Sequence, residues 1–287
     1  MRYRQCFIAA VLVVSALAST SRAVGTFTII NFPGGAPYTA TAVFGINDLG
    51  KIVGTYYDAG VRGFLLDRGT FTTIDFPGAT GTSAQGINNG GQIVGSYGDS
   101  SGIQHNFLLD HGTFTTLPDF PGAQSTSVSA INDRGEIVGT FVGTPPGGGL
   151  TGRHGFLLDH GTFTSIDVPG AIFTSAQGIN NRRQIVGTYS AGHSAPLELG
   201  FLLDRGTFKS IQVGPVYTAA VGINDHGEIV GTRSSGGVDR SFLMDNGTFT
   251  SIDVPGGIYI FAQGINNHRQ IVGSYTDDSG LHSFLLD

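Results

Sequence analysis

Acidic, histidine and aromatic side chains recur at fixed places in this chain and could each do chemistry. An Asp closes every Phe-Leu-Leu or Phe-Leu-Met run, at Asp67, Asp110, Asp159, Asp204, Asp245 and Asp287. A series of carboxylates suggests calcium, but a calcium site needs six to eight converging oxygens. One Asp per repeat suits a turn, with the carboxylate accepting from a backbone N–H two residues on. Asn47, Asn88, Asn132, Asn180, Asn224 and Asn266 are read the same way. His105, His154 and His282 stand two residues before the Phe of the same run, where Arg62 and Arg240 stand in other copies. Metal ligation needs nitrogens within about 2.0–2.2 Å of one ion, and these residues belong to separate repeats. No metal is expected and no cofactor. Glycosidic chemistry needs two carboxyls about 5–10 Å apart. Asp58, Asp99, Asp277, Asp278 and Glu198 lie in connecting segments without a distinctive pattern. Motifs for a nucleophilic serine, a phosphate-binding loop or a zinc protease are missing. No catalytic residue is assigned.

The aromatic residues break the pattern more informatively. Gly-Ile-Asn or Ala-Ile-Asn begins at Gly45, Gly86, Ala130, Gly178, Gly222 and Gly264. Five residues upstream stand Ala40, Gly81, Ser125, Phe173, Tyr217 and Tyr259, so three successive copies carry an aromatic. Tyr38 and Phe261 are close to this position in sequence. Gln177 and Gln263 follow four residues on with the same strand parity. Together these residues could form a ligand shelf, or they could fill space between structural units. Without Trp, a sugar-stacking surface has to rely on Tyr.

The elements that position these groups follow from the repeat. Six copies spaced by 41, 44, 48, 44 and 42 residues indicate a repeat architecture with one continuous core. Each copy reads as two hairpins: strand A (such as TSAQGIN) with B (QIVGSY), then C (FLLD) with D (TFTTID), joined by Asn/Asp/Gly turns. The chain begins on a D strand, Gly25–Ile30, and ends on a C strand, Phe284–Asp287. Pairing those termini completes six sets of four and leaves no open edge. The expected fold is therefore all-β: a six-bladed β-propeller with four antiparallel strands per blade, the N-terminal strand closing the last blade. A parallel solenoid has no reason to divide a repeat between the termini. Strand A, rich in small residues, is expected innermost. The A–B and C–D turns then share one face, and the variable B–C loops share the other with the D–A connections. At the position of Gly50, Arg183 and Arg269 occur, and a positive φ there is unfavourable for Arg; their turns are expected to differ in type.

Composition narrows the function classes. Residues 1–23 combine Arg2 and Arg4, an apolar run from Cys6 to Ala18, and small residues before Ala18 and Ala23, the pattern of a removable secretory signal peptide. The run of 13 residues is shorter than the ~20 that span a bilayer. The expected organisation is a signal peptide over 1–23 and one propeller domain over 24–287, secreted or periplasmic. Cys6, the only cysteine, lies in the segment expected to be removed, so no disulfide or thiolate ligand is expected. Removing three Arg leaves 12 − 21 = −9, and this acidic chain with few Lys has no footprint for nucleic acid or anionic lipid.

The elements RGFLLDRG (62–69), HNFLLDHG (105–112) and HGFLLDHG (154–161), together with G-I-N-x-x-G-x-I-V-G, resemble the HAF-type extracellular repeat family. The resemblance covers 25–287. The family's central Ala is replaced by Gly, Asn or Ser, and its His by Arg or Leu in three copies. The resemblance implies an exported bacterial protein of unestablished function and brings no catalytic residues. The expected role is a monomeric, non-enzymatic binding module for a glycan or a protein surface. Its ligand face is expected at the B–C and D–A loops. A glycan-processing hydrolase or lyase and a purely structural surface repeat are the alternatives.

Overall fold

The computed structural model describes residues 12–15, 25–33, 41–145, 148, 151–191, 197–214, 217–235 and 237–287. Blade 1 comprises β3 (Thr41–Ile46), β4 (Ile52–Tyr57), β5 (Val61–Asp67) and β6 (Thr70–Ile74), in that order across the sheet. Blades 2 to 5 repeat it as β7–β10 (81–117), β11–β14 (125–166), β15–β18 (174–212) and β19–β22 (218–252). Blade 6 takes three strands from the C-terminal end, β23–β25 (259–286), and its fourth, β2 (Phe27–Ile30), from near the N-terminus. Phe27 lies opposite Leu286 and Ile30 opposite Ser283 in an antiparallel register, which closes the six-bladed β-propeller. Within the segment read as a signal peptide, β1 (Leu12–Ser15) adds in parallel to the outer strand of blade 4. Among the described residues there is no helix, hence none long and apolar enough to cross a membrane.

The repeated Ile-Val-Gly and Phe-Leu-Leu motifs build the seams between blades. Alternate residues of a strand face opposite sides, so Ile52 packs with its own blade while Val53 reaches the next, joining the cluster around Ile87 and Phe107. Six such apolar clusters occupy the six seams. The strand-C Phe of every blade is at most 1% exposed, each worth roughly 1.5–3 kcal/mol of burial. The Gly of Ile-Val-Gly makes room for that ring: a Cβ on Gly54 would lie 2.9 Å from Phe64 and 2.0 Å from the Ala42 carbonyl oxygen. In blades 1 to 3 a further ring stacks here, with Phe32 on Tyr56, Phe76 on Tyr97 and Phe120 on Phe141 at 3.6–3.7 Å between centroids.

The turns depart from two expectations. In the C–D turns both central residues have positive φ, as at Arg68 (49°) and Gly69 (81°). This geometry matches strand twist in a two-residue hairpin. Their Asp carboxylates take side-chain partners instead of capping a backbone N–H. Lys51 reaches Asp67, Gln92 reaches Asp110, Arg183 reaches Asp159, Arg269 reaches Asp245 and Gln270 reaches Asp287.

Arg183 and Arg269 are the second correction: their turns are of the same kind as the others. Arg183 donates its N–H to the Asn180 carbonyl at 3.0 Å, as Gly50 does to Asn47 at 3.1 Å, and both Arg accept positive φ (61° and 66°). The guanidiniums supply the compensation. Arg183 Nε donates to Glu136 Oε1 at 2.7 Å across the seam to blade 3, and Arg269 pairs with Glu228 of blade 5. Replacing Arg183 by Gly removes about 1 kcal/mol of left-handed strain. It also strands the Glu136 carboxylate, whose side chain is 3% exposed, and that costs about 3–5 kcal/mol. Arg183→Gly is therefore expected to lower Tm by roughly 4–16 °C, and adding Glu136→Gln to recover most of the loss in a thermal melt.

Candidate functional site at the propeller axis

Each inner strand carries one extra residue just before its Gly-Ile or Ala-Ile, where the register with strand B slips. The bulged residues are Phe44, Gln85, Ser129, Gln177, Val221 and Gln263. A bulge re-aims a side chain, and all six line one axial cavity of about 760 Å³. The next residue brings neighbouring inner strands together: a Cβ on Gly178 would come within 2.6 Å of the Val221 carbonyl oxygen. The small residue at this place, Gly in five blades and Ala130 in blade 3, permits the close approach of blades around the axis.

The A–B turns form the cavity floor through two closed rings of hydrogen bonds. In the outer ring, Nδ2 of Asn47, Asn88, Asn132, Asn180, Asn224 and Asn266 donates in turn to the backbone carbonyl of the next Asn at 2.9–3.1 Å. The last of these bonds runs from Asn266 back to Asn47. Oδ1 of the same residues caps its own turn, as Asn132 does for the N–H groups of Arg134 and Glu136. The expected turn role holds for these Asn, and a role between blades is added to it.

In the inner ring, Asp and Asn alternate: Asp48, Asn89, Asp133, Asn181, Asp225, Asn267. Each backbone N–H donates to Oδ1 of the next member at 2.7–2.8 Å. Each Asn Nδ2 donates to Oδ2 of both flanking Asp at 2.7–2.9 Å. Six atoms therefore form a hexagon whose corners lie about one edge length from its centre, which is too tight for an organic ligand. Both amide hydrogens of each Asn are donated to the three carboxylates, whose charge they stabilise without cancelling it. Burial acts to raise the Asp225 pKa, but the bonds from Asn267 and Asn181 outweigh it and hold the carboxyl below its usual value.

The opposite end is wider and less symmetric. Tyr217, Phe261, Gln177 and Gln263 line the cavity. Phe173 is half-buried beside it, with the Arg153 guanidinium 5.4 Å from its ring centroid. Tyr259 is 38% exposed on the rim. Tyr38 lies outside the described residues, as do residues 146, 147, 149, 150 and 192–196 of the two longest loops. Phe173 and Tyr217 each feel a charge three residues before the strand-C Phe of the preceding blade. Arg153 approaches Phe173, and Glu198 acts on Tyr217. Burial first, then Glu198 and Asp239, raise the Tyr217 pKa, so its phenol stays a hydrogen-bond donor. Among the described residues, seven of the nine large exposed apolar side chains belong to this end, among them Tyr57, Val61, Ile103 and Leu281.

Sequence reasoning missed the inner ring and four of the six bulged residues, Phe44, Gln85, Ser129 and Val221, while Gln177 and Gln263 were among the residues it singled out. The Asp/Asn alternation was visible directly after each repeated Asn, but it acquires meaning only when the repeat closes on itself. The bulge had a fainter signal, Gln at the same place in three copies. The histidines are not brought together: His105 pairs with Asp99 at 3.0 Å, His282 with Asp277 at 3.1 Å, and His154 with Asp167. Among the described residues no group of three or more His, Cys, Asp or Glu is placed to hold a metal ion.

No protein-family model and no curated protein sequence matches the chain. Solved propellers do match in shape. The β-propeller domain of the Trilobed protease from Pyrococcus furiosus aligns with a TM-score of 0.58 at 10% identity, over 88% of this chain and 95% of that one. A putative gluconolactonase aligns at 0.54 and 13%, over 92% of each chain. The Aleuria aurantia lectin, in complex with Fucalpha1-6GlcNAc, aligns at 0.54 and 12%, over 86% of this chain and 91% of the lectin. At these identities the likeness shows the fold alone.

Two outcomes are expected for the inner ring. Asn181→Asp sets three carboxylates side by side and removes two donors, at a cost of about 3 kcal/mol, or roughly 6–12 °C in Tm. Exchanging Asp for Asn and Asn for Asp at all six positions restores it. The acid limb of stability follows from Asp225. Its folded pKa is depressed, so its contribution is fully present above about pH 4, the unfolded carboxyl value, and is lost as pH falls through the folded value. Denaturant midpoints measured between about pH 2 and 6 should fall below about pH 4, and Asp225→Asn should flatten that fall.

Proposed function

We propose that this chain is an exported, non-enzymatic binding module that takes its ligand through the loop-rich mouth of the axial cavity. The observation that carries this reading is the contrast between the two ends of the axis. The A–B end is shut by the Asp/Asn hexagon, whereas the other end presents Tyr217, Phe261, amide side chains and an exposed apolar rim. A blind polar cavity behind an amphipathic mouth suits a ligand with hydroxyl or amide groups and an apolar face, a glycan or an exposed peptide segment. The lectin and gluconolactonase neighbours make sugar chemistry compatible with the architecture. Their identities carry no residues over. Export rests on the N-terminal segment and on the resemblance to HAF-type repeats. Binding without turnover is favoured because His105, His154 and His282 are each held in a His–Asp pair on a separate blade and do not converge.

The test is a glycan and peptide binding screen on residues 24–287. Tyr217→Ala is expected to weaken the selected ligand about tenfold, with Leu49→Ala on the far face as a control that binds normally. Loss of stability in Tyr217→Ala with unchanged binding would sink the reading, as would turnover of a bound glycan.

A further inference from the structure

In every blade one pair of side chains faces across strands B and C, two residues after the Gly of Ile-Val-Gly. Tyr56 stands opposite Arg62, Tyr97 opposite His105, Phe141 opposite His154, Tyr189 opposite Leu199 and Tyr275 opposite His282. In blades 2, 3 and 6 the ring centroids of the pair are 5.1–5.2 Å apart. Each basic member of these pairs has a carboxylate of its own blade. Asp75 pairs with Arg62, Asp99 with His105, Asp167 with His154 and Asp277 with His282.

Blade 5 departs from this pattern. Arg233 stands in place of the aromatic and lies directly opposite Arg240. Both are half-buried. Like charges directly opposite each other on neighbouring strands repel. Neither guanidinium forms an ion pair with a carboxylate among the described residues, and Arg240 Nη1 turns to the Gly257 carbonyl at 3.4 Å. Asp239 and Asp253 are the acids at this end of blade 5. Asp239 lines the axial cavity on the other face of the sheet. Asp253 holds the place that Asp75 and Asp167 hold in their blades, yet it does not reach Arg240. Two adjacent guanidiniums are thus left without a counter-charge in a chain whose net charge is −6. Strand alternation sets them beside the mouth and not inside it. Thr232 and Ser234, on either side of Arg233, line the cavity, and Arg233 does not.

We infer that Arg233 and Arg240 form a subsite for an oxyanion, the carboxylate or phosphate of a small ligand. A guanidinium presents parallel N–H donors that match two oxygens of either group. Two guanidiniums side by side offer that fork twice, and a bound anion removes their mutual repulsion. The subsite goes beyond the mouth proposed above, because it lies on the opposite face of the blade 5 sheet.

The full chain is titrated by calorimetry with glucuronate and glucose 6-phosphate, and with glucose as the uncharged control. At least one anion is expected to bind, with glucose failing to do so, and the tighter of the two identifies the group. Arg233→Tyr restores the residue type of blades 1, 2, 4 and 6. It is expected to hold or raise Tm while weakening the anion about tenfold. Arg240→Gln is expected to weaken it similarly, which keeps the test open should Arg233→Tyr fold poorly. Asp253→Asn is expected to tighten it about twofold by removing a nearby like charge. Tyr217→Ala, in the mouth, is expected to leave it unchanged. Anion binding indifferent to both Arg variants would overturn the subsite, as would its loss in Tyr217→Ala, equal affinity for glucose, or no binding of either anion.

Discussion

Closure around the axis is the constraint on which the rest of this structure depends. Each repeated Asn is shared between two blades: its carbonyl oxygen side caps its own turn and its amide nitrogen binds the next turn's backbone. The inner ring repeats the principle with alternating charge, and alternation closes without a mismatch only for an even number of blades. An odd ring would set two carboxylates or two amides against each other. Six blades therefore satisfy both the strand count and the hydrogen-bond parity. The strand contributed by the N-terminal region completes the sixth sheet, so one set of contacts locks the axis and the other locks the rim.

Tight packing at the centre explains the composition. Gly at the inner bulge and Gly beneath the strand-C Phe are required where backbones or rings approach within contact distance, and short side chains fill the rest of strand A. The Arg-for-Gly exceptions show how the repeat tolerates local cost. An unfavourable φ persists where its guanidinium neutralises a buried Glu on the preceding blade. Both Arg follow a copy that carries Glu, which marks the pair as one feature spread over two repeats.

Departures from symmetry accumulate at the other end of the axis. There the copies differ in aromatic residues and in the charges that face them. Regular positions are scaffold because every blade needs them equally. A feature present at one seam alone, such as the Arg153 guanidinium over the Phe173 ring, has no such structural necessity.

Much of this was legible in the chain. Strand type, turn residues, the two hairpins per copy and the terminal pairing follow from period-two patterning and from where the chain starts and stops in the repeat, because these are local properties or simple counts. The Asn turns were legible for the same reason. The turns at Arg183 and Arg269 were misread because their compensation comes from Glu136 and Glu228, a whole repeat away. The Asp/Asn hexagon was present as an alternation without meaning until the ring brought residues 48 and 267 together. Which aromatic reaches the cavity could not be read from position, since Phe173, Tyr217 and Tyr259 share one register. The sequence by itself determined the architecture, because strand patterning and turn chemistry repeat six times over. Only the tertiary structure decided which end of the axis is shut, because the ring that shuts it is made of contacts between blades that no single repeat contains.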